Sequence, residues 1–317
     1  MEYAKLGNTD IEVSKLCVGC MSFGKPGTLH DWTLDESGTE EIVKHALDLG
    51  INFFDTANGY SDGTSEEYLG NALRKNVSRD KVVIASKVYF NPGRLSSEAI
   101  HREIEGSLKR LGTDYLDLYI IHRFDYDTPI EETMGALDQI VRSGKALYVG
   151  ISRYTPEQTE IAIRTLRELG TPMLIHQENY SMLNRKIEHG LTDVLTREGV
   201  GLIAFGPLAG GRLTGKYQSG IPADSRIGHD PRYLKADMLT PGLHAAIDAL
   251  SKIAAARGET LSQLALQWTL RDKAVTSALI GASRAEQITE NVAALSLPPL
   301  TDEELAQIDA ALALNEE

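Results

Sequence analysis

Several things are scarce in this sequence at once. Of its 317 residues only two are cysteine, and aromatic residues make up 6%. No apolar run approaches the roughly 20 residues that a membrane-spanning helix needs. Basic residues are also in deficit: 32 Lys and Arg stand against 45 Asp and Glu, a formal net charge of −13. That balance argues against a polyanionic partner, so neither nucleic acid nor an anionic membrane surface is expected. The start, "MEYAKLGNTDIEV", lacks the charged-then-apolar layout of a signal peptide, and a cytoplasmic protein is expected. The cysteines form a C-x-x-C, Cys17 and Cys20, inside "KLCVGCMSFG". That stretch reads as a strand, on which residues three apart stand about 10 Å apart on opposite faces, beyond disulfide reach. Neither a redox pair nor a metal site is expected. A G-x-G-x-x-G is missing too. "GGRLTGKY" comes within one residue of a P-loop: Gly210, Gly215 and Lys216 fit, but Tyr217 stands where a Ser or Thr would hold Mg²⁺. Gly220 and Pro222 stop a helix from following, so ATP is not expected.

What is present is a repeated alternation of short apolar runs with helical periods. The runs are "KLCVGCMSF", "INFFDTA", "KVVIASKV", "YLDLYIIH", "ALYVGIS", "PMLIHQ", "GVGLIAF" and "VTSALIG". Between them lie apolar stripes of helical spacing, such as Ile42, Val43, Ala46 and Leu47, closed by Gly50, or Ile100, Ile104, Leu108 and Leu111, closed by Gly112. Ser65 is expected to cap the helix of "SEEYLGNALRK". Eight β-then-α units without a composition break predict a parallel sheet closed on itself, a TIM (β/α)8 barrel, with residues 1–317 forming one domain. Alternating stretches around Gly7-Asn8 predict an N-terminal hairpin over the barrel floor. The loop after the seventh strand, about residues 207–243, exceeds ordinary connection lengths and reads as functional.

In such a barrel the active site lies at the C-terminal ends of the strands. Asp55 ends "INFFD" and Tyr60 follows in its loop; Lys87 ends "VVIASK"; His122 ends "LYIIH". Neighbouring strands are about 4.8 Å apart, so these groups converge despite their sequence separations. Free tyrosine titrates near about 10; an ammonium beside it favours the phenolate and lowers that value, and a carboxylate fixes the ammonium in place. The set suits a general acid that protonates a carbonyl oxygen as hydride reaches the carbon, with His122 orienting that oxygen. Taken singly, Asp55 with Lys87 also reads as a structural ion pair, and His122 as an ordinary satisfied histidine.

The stretches "INFFDTANGYSDGTSEEYLG", "VVIASKV", "LDLYIIHR", "YVGISRY" and "LIGASRAEQITEN" resemble the aldo-keto reductase family along essentially the whole chain. The resemblance implies a reductase of small aldehydes that uses NADPH without a Rossmann fingerprint. Tyr60 would be the general acid, Lys87 and Asp55 its activators, and His122 the group that orients the substrate. It further implies a cofactor cradle. Ser152, Arg153 and Gln177, with Asn179 beside them, would meet the nicotinamide end, and Phe205 would stack on it. Gly206 stands where a Ser is common. Leu208, Gly210, Lys216 and Arg226 would lie along the pyrophosphate. At the adenosine end stand Gly281, Ser283, Arg284, Gln287, Glu290 and Asn291. Ser283 and Arg284, near a helix N-terminus, suit a 2′-phosphate. Trp32, Tyr89, Arg123 and Phe124 follow strand ends and would line the substrate mouth. From about Gly144 onward the chain is similar to the branch reducing L-glyceraldehyde 3-phosphate, whereas "HRFDYDTPIEET" is similar to another bacterial branch, as in a recombined or engineered chain. The family's potassium-channel β-subunits supply a second expectation, a regulatory subunit that binds the same cofactor.

Overall fold

The computed structural model describes residues 1–28, 31–223, 225–230, 232 and 234–315. Two short strands, β1 (Tyr3–Lys5) and β2 (Glu12–Ser14), pair antiparallel, with Tyr3 opposite Ser14 and Lys5 opposite Glu12. Eight parallel strands follow: β3 (Leu16–Gly19), β4 (Phe53–Asp55), β5 (Val83–Val88), β6 (Leu116–Ile121), β7 (Ala146–Ser152), β8 (Met173–Asn179), β9 (Gly201–Phe205) and β10 (Val275–Ile280). They pair in chain order and close into a barrel, β10 returning to β3. Each of the eight apolar runs is a barrel strand, as a parallel sheet buried on both faces requires.

Helices cover the outside: α1 (Glu36–Asp48), α2 (Thr64–Asn76), α3 (Ser97–Leu111), α4 (Ile130–Arg142), α5 (Pro156–Leu169) and α6 (Leu191–Glu198) each follow one strand. After β9 come the short α7 (Arg226–His229) and then two full helices, α8 (Pro241–Ala256) and α9 (Leu261–Leu270), where one would complete a β/α unit. α10 (Ala285–Ala293) and α11 (Asp302–Ala313) complete the order. Among the described residues no helix is long and apolar enough to cross a membrane.

Strand alternation decides what points into the barrel. On β4 and β5, Phe53, Val83 and Ala85 belong to an inner apolar cluster, while Phe54, Ile84 and Val88 belong to the layer between sheet and helices. The same period sends Asp55 and Lys87 inward. On β6, Leu118 and Ile120 face in, and the step continues to His122. The hairpin contributes Leu6 and Val13 to the inner cluster, so an apolar plug closes the floor and leaves the polar groups at the mouth.

Two local expectations need correction. β3 ends at Gly19, and Cys20 opens a 3-10 turn, Cys20–Ser22, instead of extending the strand. Cys17 packs in the inner cluster and Cys20 in the outer one; both are free thiols whose pKa burial pushes well up. Ser65 does not cap α2, whose cap is Gly63 in a left-handed conformation. Ser65 lies beneath the turn instead, donating to the Cys20 carbonyl at 2.7 Å and facing Thr56 Oγ1 at 3.0 Å.

His176, on β8, is fully buried, and burial pulls its pKa from 6.5 down to about 4, offset only in part by the Tyr154 backbone. The ring is therefore neutral when folded, whereas the unfolded chain takes up a proton below about 6.5. Its contribution to stability is complete above that value and is lost as pH falls towards about 4, by up to about 3 kcal/mol. Urea denaturation at pH 7 and at pH 4.5 checks this. His176→Leu should lose less stability on acidification than the native chain; equal losses would show that His176 is not held neutral.

Candidate active site

At the C-terminal mouth, Lys87 Nζ donates to Asp55 Oδ1 at 2.5 Å and to the Thr56 carbonyl at 2.7 Å. Its third donor faces the Tyr60 hydroxyl at 3.4 Å, with the nitrogen 4.8 Å from the centre of that ring. An ammonium has three donors, and all three are engaged. The other Asp55 oxygen accepts from Gln177 Nε2 at 2.8 Å, across 122 residues of chain. Asp55 and Lys87 are both fully buried, and Tyr60 is half-buried above them.

Burial pushes the Asp55 carboxyl up, and the Lys87 charge pulls it only part of the way back. Burial alone would draw the Lys87 ammonium down, but Asp55 and Tyr60 outweigh it and the ammonium is held. For Tyr60 burial is again the largest influence and raises its pKa; Lys87 pulls downward without reversing the shift. The expected lowering is thus corrected: the ammonium acts in the expected direction, and desolvation of the phenolate exceeds it. Tyr60 rests as a neutral phenol. His122 is neutral as well, its pKa pulled well below 6.5 by burial and then by Lys87, Arg153 and Arg123. Its ring lies edge-on to Tyr60 at 5.7 Å, and its Nδ1 is buried without a hydrogen-bond partner.

Tyr60 owes its place to a tight turn. Ser61 and Asp62 both adopt left-handed backbone, φ 48° and 54°, which costs about 1 kcal/mol or more per non-glycine residue. The turn is held by bonds from Ser61 Oγ to the Phe23 carbonyl (3.1 Å) and from Thr64 Oγ1 to the Ser61 carbonyl (2.6 Å). A Cβ on Gly24 would come 2.4 Å from Ser61 Cβ, so only glycine fits there.

The residues expected on the cofactor side fall at adjoining strand ends. Ser152 is register partner to Gln177, and Asn179 to Phe205. Arg153 takes φ 59° and sets its guanidinium 5.0 Å from the centre of the Phe205 ring. Gly206, Gly210, Gly211 and Gly215 all have positive φ, from 68° to 96°, and bend the chain back on itself. Leu208 packs on the outer core, and Lys216 is exposed with its ammonium 5.2 Å from the centre of the Tyr217 ring. Residues 216–219 form a turn, so the chain does not pass directly from Lys216 into a helix as a P-loop does. Arg226 opens α7, and its side chain lies outside the described residues. Gly281, Ser283 and Arg284 are exposed ahead of α10. There Gln287 Oε1 accepts from the Ser283 and Arg284 amides at 2.9 and 3.3 Å. An anion at this helix start would have to displace that side chain. Glu290 Oε1 accepts from Thr260 Oγ1 at 2.7 Å, and Asn291 is buried.

Around the mouth, Trp32 Nε1 reaches Asp230 Oδ2 at 3.4 Å and ties its loop to the long one. Tyr89 is half-buried, and Phe124 turns its ring to Tyr154 (5.0 Å) and Tyr126 (4.8 Å). Sequence reasoning missed Phe90, 54% exposed and edge-on to His122 at 5.0 Å; its only signal is that it follows Tyr89 past the end of β5. It also missed buried Glu66, which accepts from Ser86 Oγ at 2.5 Å and from Arg110 Nε at 2.6 Å and so fastens β5 from outside. A cavity of about 440 Å³ lies elsewhere, where β5 and β6 begin, lined by Arg74, Arg79, Asp80 and Tyr115. Its arginines are committed to internal bonds, Arg79 to Asp117 and three backbone or hydroxyl acceptors, so size does not make it the reactive site. Among the described residues no group of three or more His, Cys, Asp or Glu is placed to hold a metal ion.

With this geometry in view, comparison with known proteins is decisive at the level of family. Residues 15–313 match the model of the Aldo/keto reductase family. The chain belongs to that family. An L-glyceraldehyde 3-phosphate reductase of Escherichia coli (strain K12) is 43% identical, over 99% of this chain and 93% of its own. A putative voltage-gated potassium channel subunit beta of Schizosaccharomyces pombe is 38% identical, over 97% and 92%. An aldo-keto reductase of Alternaria alternata is 34% identical, over 97% and 90%. Membership places the chain among the oxidoreductases.

In this aldo/keto reductase, Lys87→Met would leave a buried carboxylate without its ion partner, a loss of about 3–5 kcal/mol for a broken buried pair. Adding Asp55→Asn removes the stranded charge and should recover part of it. Urea denaturation of the single and double variants decides: a double variant no more stable than Lys87→Met would mean that Asp55 does not depend on the ammonium.

Proposed function

We propose that the chain, acting as one domain, reduces small aldehydes to alcohols with NADPH. The observation that carries the reading is the third Lys87 donor, aimed at the hydroxyl of a neutral Tyr60 while the first is held by Asp55. Bound in the cradle, the dinucleotide would supply the hydride. As negative charge gathers on the substrate oxygen, the Tyr60 O–H bond breaks and its proton moves to that oxygen. The electron pair stays on Tyr60 as phenolate, stabilised by the Lys87 ammonium beside it. Neutral His122 donates a hydrogen bond to the same oxygen and holds it towards Tyr60. The donor set suits a dinucleotide: Ser152, Asn179 and the free oxygen of Gln177 for an amide and ribose, the Phe205 face for an aromatic ring, and Lys216 with glycine-freed backbone for the pyrophosphate.

The channel-subunit relative, at 38% identity over 97% of the chain, favours a second reading, a slow NADPH-binding regulatory subunit. Turnover separates them: an enzyme is expected near the ordinary scale of about 10 per second, a regulator far below it.

Tyr60→Phe should lower the reduction rate by a hundredfold to ten-thousandfold while leaving NADPH affinity within about twofold, because the hydroxyl gives up its proton only during reaction. Because burial raises the Tyr60 pKa, the native rate should hold through neutral pH and fall only in alkali. Steady-state rates and cofactor titration test this; a variant within tenfold of the native rate would remove Tyr60 from the role.

Arg284→Ala should weaken NADPH binding by roughly tenfold to a hundredfold, the scale of one charge-assisted hydrogen bond, and barely change NADH. Fluorescence titration with both cofactors distinguishes this from a structural role, in which both would lose equally.

A further inference from the structure

The residue after His122 is a cation of unusual standing. Arg123 is exposed, and its guanidinium carbon lies 5.9 Å from the centre of the Tyr89 ring and 5.6 Å from that of Phe90. Phe90 in turn stands 5.0 Å from His122, so the guanidinium lies within the sum of those two last distances of the ring that orients the carbonyl. Among the described residues no hydrogen bond or ion pair engages its donors. The acids of its own loop are spent elsewhere: Arg94 takes Asp125 at 3.4 Å and Asp127 at 2.8 Å, and Thr128 donates to Asp125 at 2.8 Å. Aromatic faces hold a guanidinium in place without neutralising it, and leave its planar fork of N–H groups turned to a ligand. Its charge is felt at the reaction centre, where it helps keep His122 neutral.

We infer that Arg123 determines specificity by binding the anionic end, a phosphate or a carboxylate, of a short aldehyde whose carbonyl oxygen lies between Tyr60 and His122. The inference rests on the reductase reading above. Phe90 forms the apolar wall along the carbons between the two ends, and the guanidinium meets two oxygens of the anion at once. The chain as a whole repels anions, with its net charge of −13, so any preference for them must arise from this local group and must weaken with salt.

Two matched pairs of substrates test it: glyceraldehyde 3-phosphate with glyceraldehyde, and 4-oxobutanoate with butanal, each at saturating NADPH. The readout is the ratio of kcat/KM for the anionic over the neutral member. The native chain should favour at least one anionic member tenfold or more, and the phosphate and carboxylate pairs show which anion is taken. Arg123→Met should cut that ratio by about ten- to a hundredfold, through KM, and Arg123→Lys should restore part of it. Inorganic phosphate or sulfate should compete with the neutral aldehyde in the native chain, a measurement that does not need the variants to fold. A ratio near one in the native chain, an unchanged ratio in Arg123→Met, or no competition would overturn the anion site and leave the reductase reading standing. Failure to reduce any of the four aldehydes would overturn both.

Discussion

A charged lysine buried inside a barrel is costly, and the rest of the site follows from how that cost is met. Lys87 can stay ionised only because Asp55, the Thr56 carbonyl and the Tyr60 hydroxyl take its three donors. Asp55 in turn needs Gln177 on its second oxygen. The pair therefore ties β4, β5 and β8 together at the mouth, and it leaves Tyr60 with a fixed neighbour on one side. Burial favours the neutral phenol and the ammonium favours the phenolate; burial prevails at rest, and the ammonium is in place when the proton leaves.

Around this pair the fold spends rigidity unevenly. The turn that presents Tyr60 carries two left-handed non-glycine residues, a strain sustained by the Ser61 and Thr64 bonds and by the close approach that Gly24 permits. On the outer face of β5, Glu66 bonds Ser86, next to Lys87, and Arg110 on α3, so the strand is held from both sides. At the floor, Leu6 and Val13 add apolar packing, and Asp117 accepts from Arg79 and from the Ile84 amide where β5 and β6 begin. The buried carboxylates Asp55, Glu66 and Asp117 each have bonded partners, as expected when buried charge is tolerated only if satisfied.

The cofactor side is arranged differently. Ser152, Gln177, Asn179 and Phe205 are strand-end residues set by barrel register, whereas the adenosine-side residues lie before and along α10, where Gln287 already occupies two amides. Local cations, Arg153 over Phe205 and Arg123 over Phe90, stand out against an acidic whole. For Arg123 the aromatic contact leaves the charge in place.

Much of this was legible in the residues alone. Eight apolar runs became eight barrel strands, and Asp55, Lys87 and His122 were visible as polar groups ending such runs, because strand alternation is a local property that survives without knowledge of partners. Family membership was legible too, through the stretches around Tyr60, Lys87, His122 and Ser283. Tertiary structure alone decided the rest: that Ser65 serves the Cys20 carbonyl and not a helix cap, that Gln177 reaches Asp55, that Phe90 turns to His122, and that burial outweighs the ammonium at Tyr60. Each depends on groups distant in sequence meeting in space, and on how much water their meeting excludes. No period or spacing along a single chain carries that information.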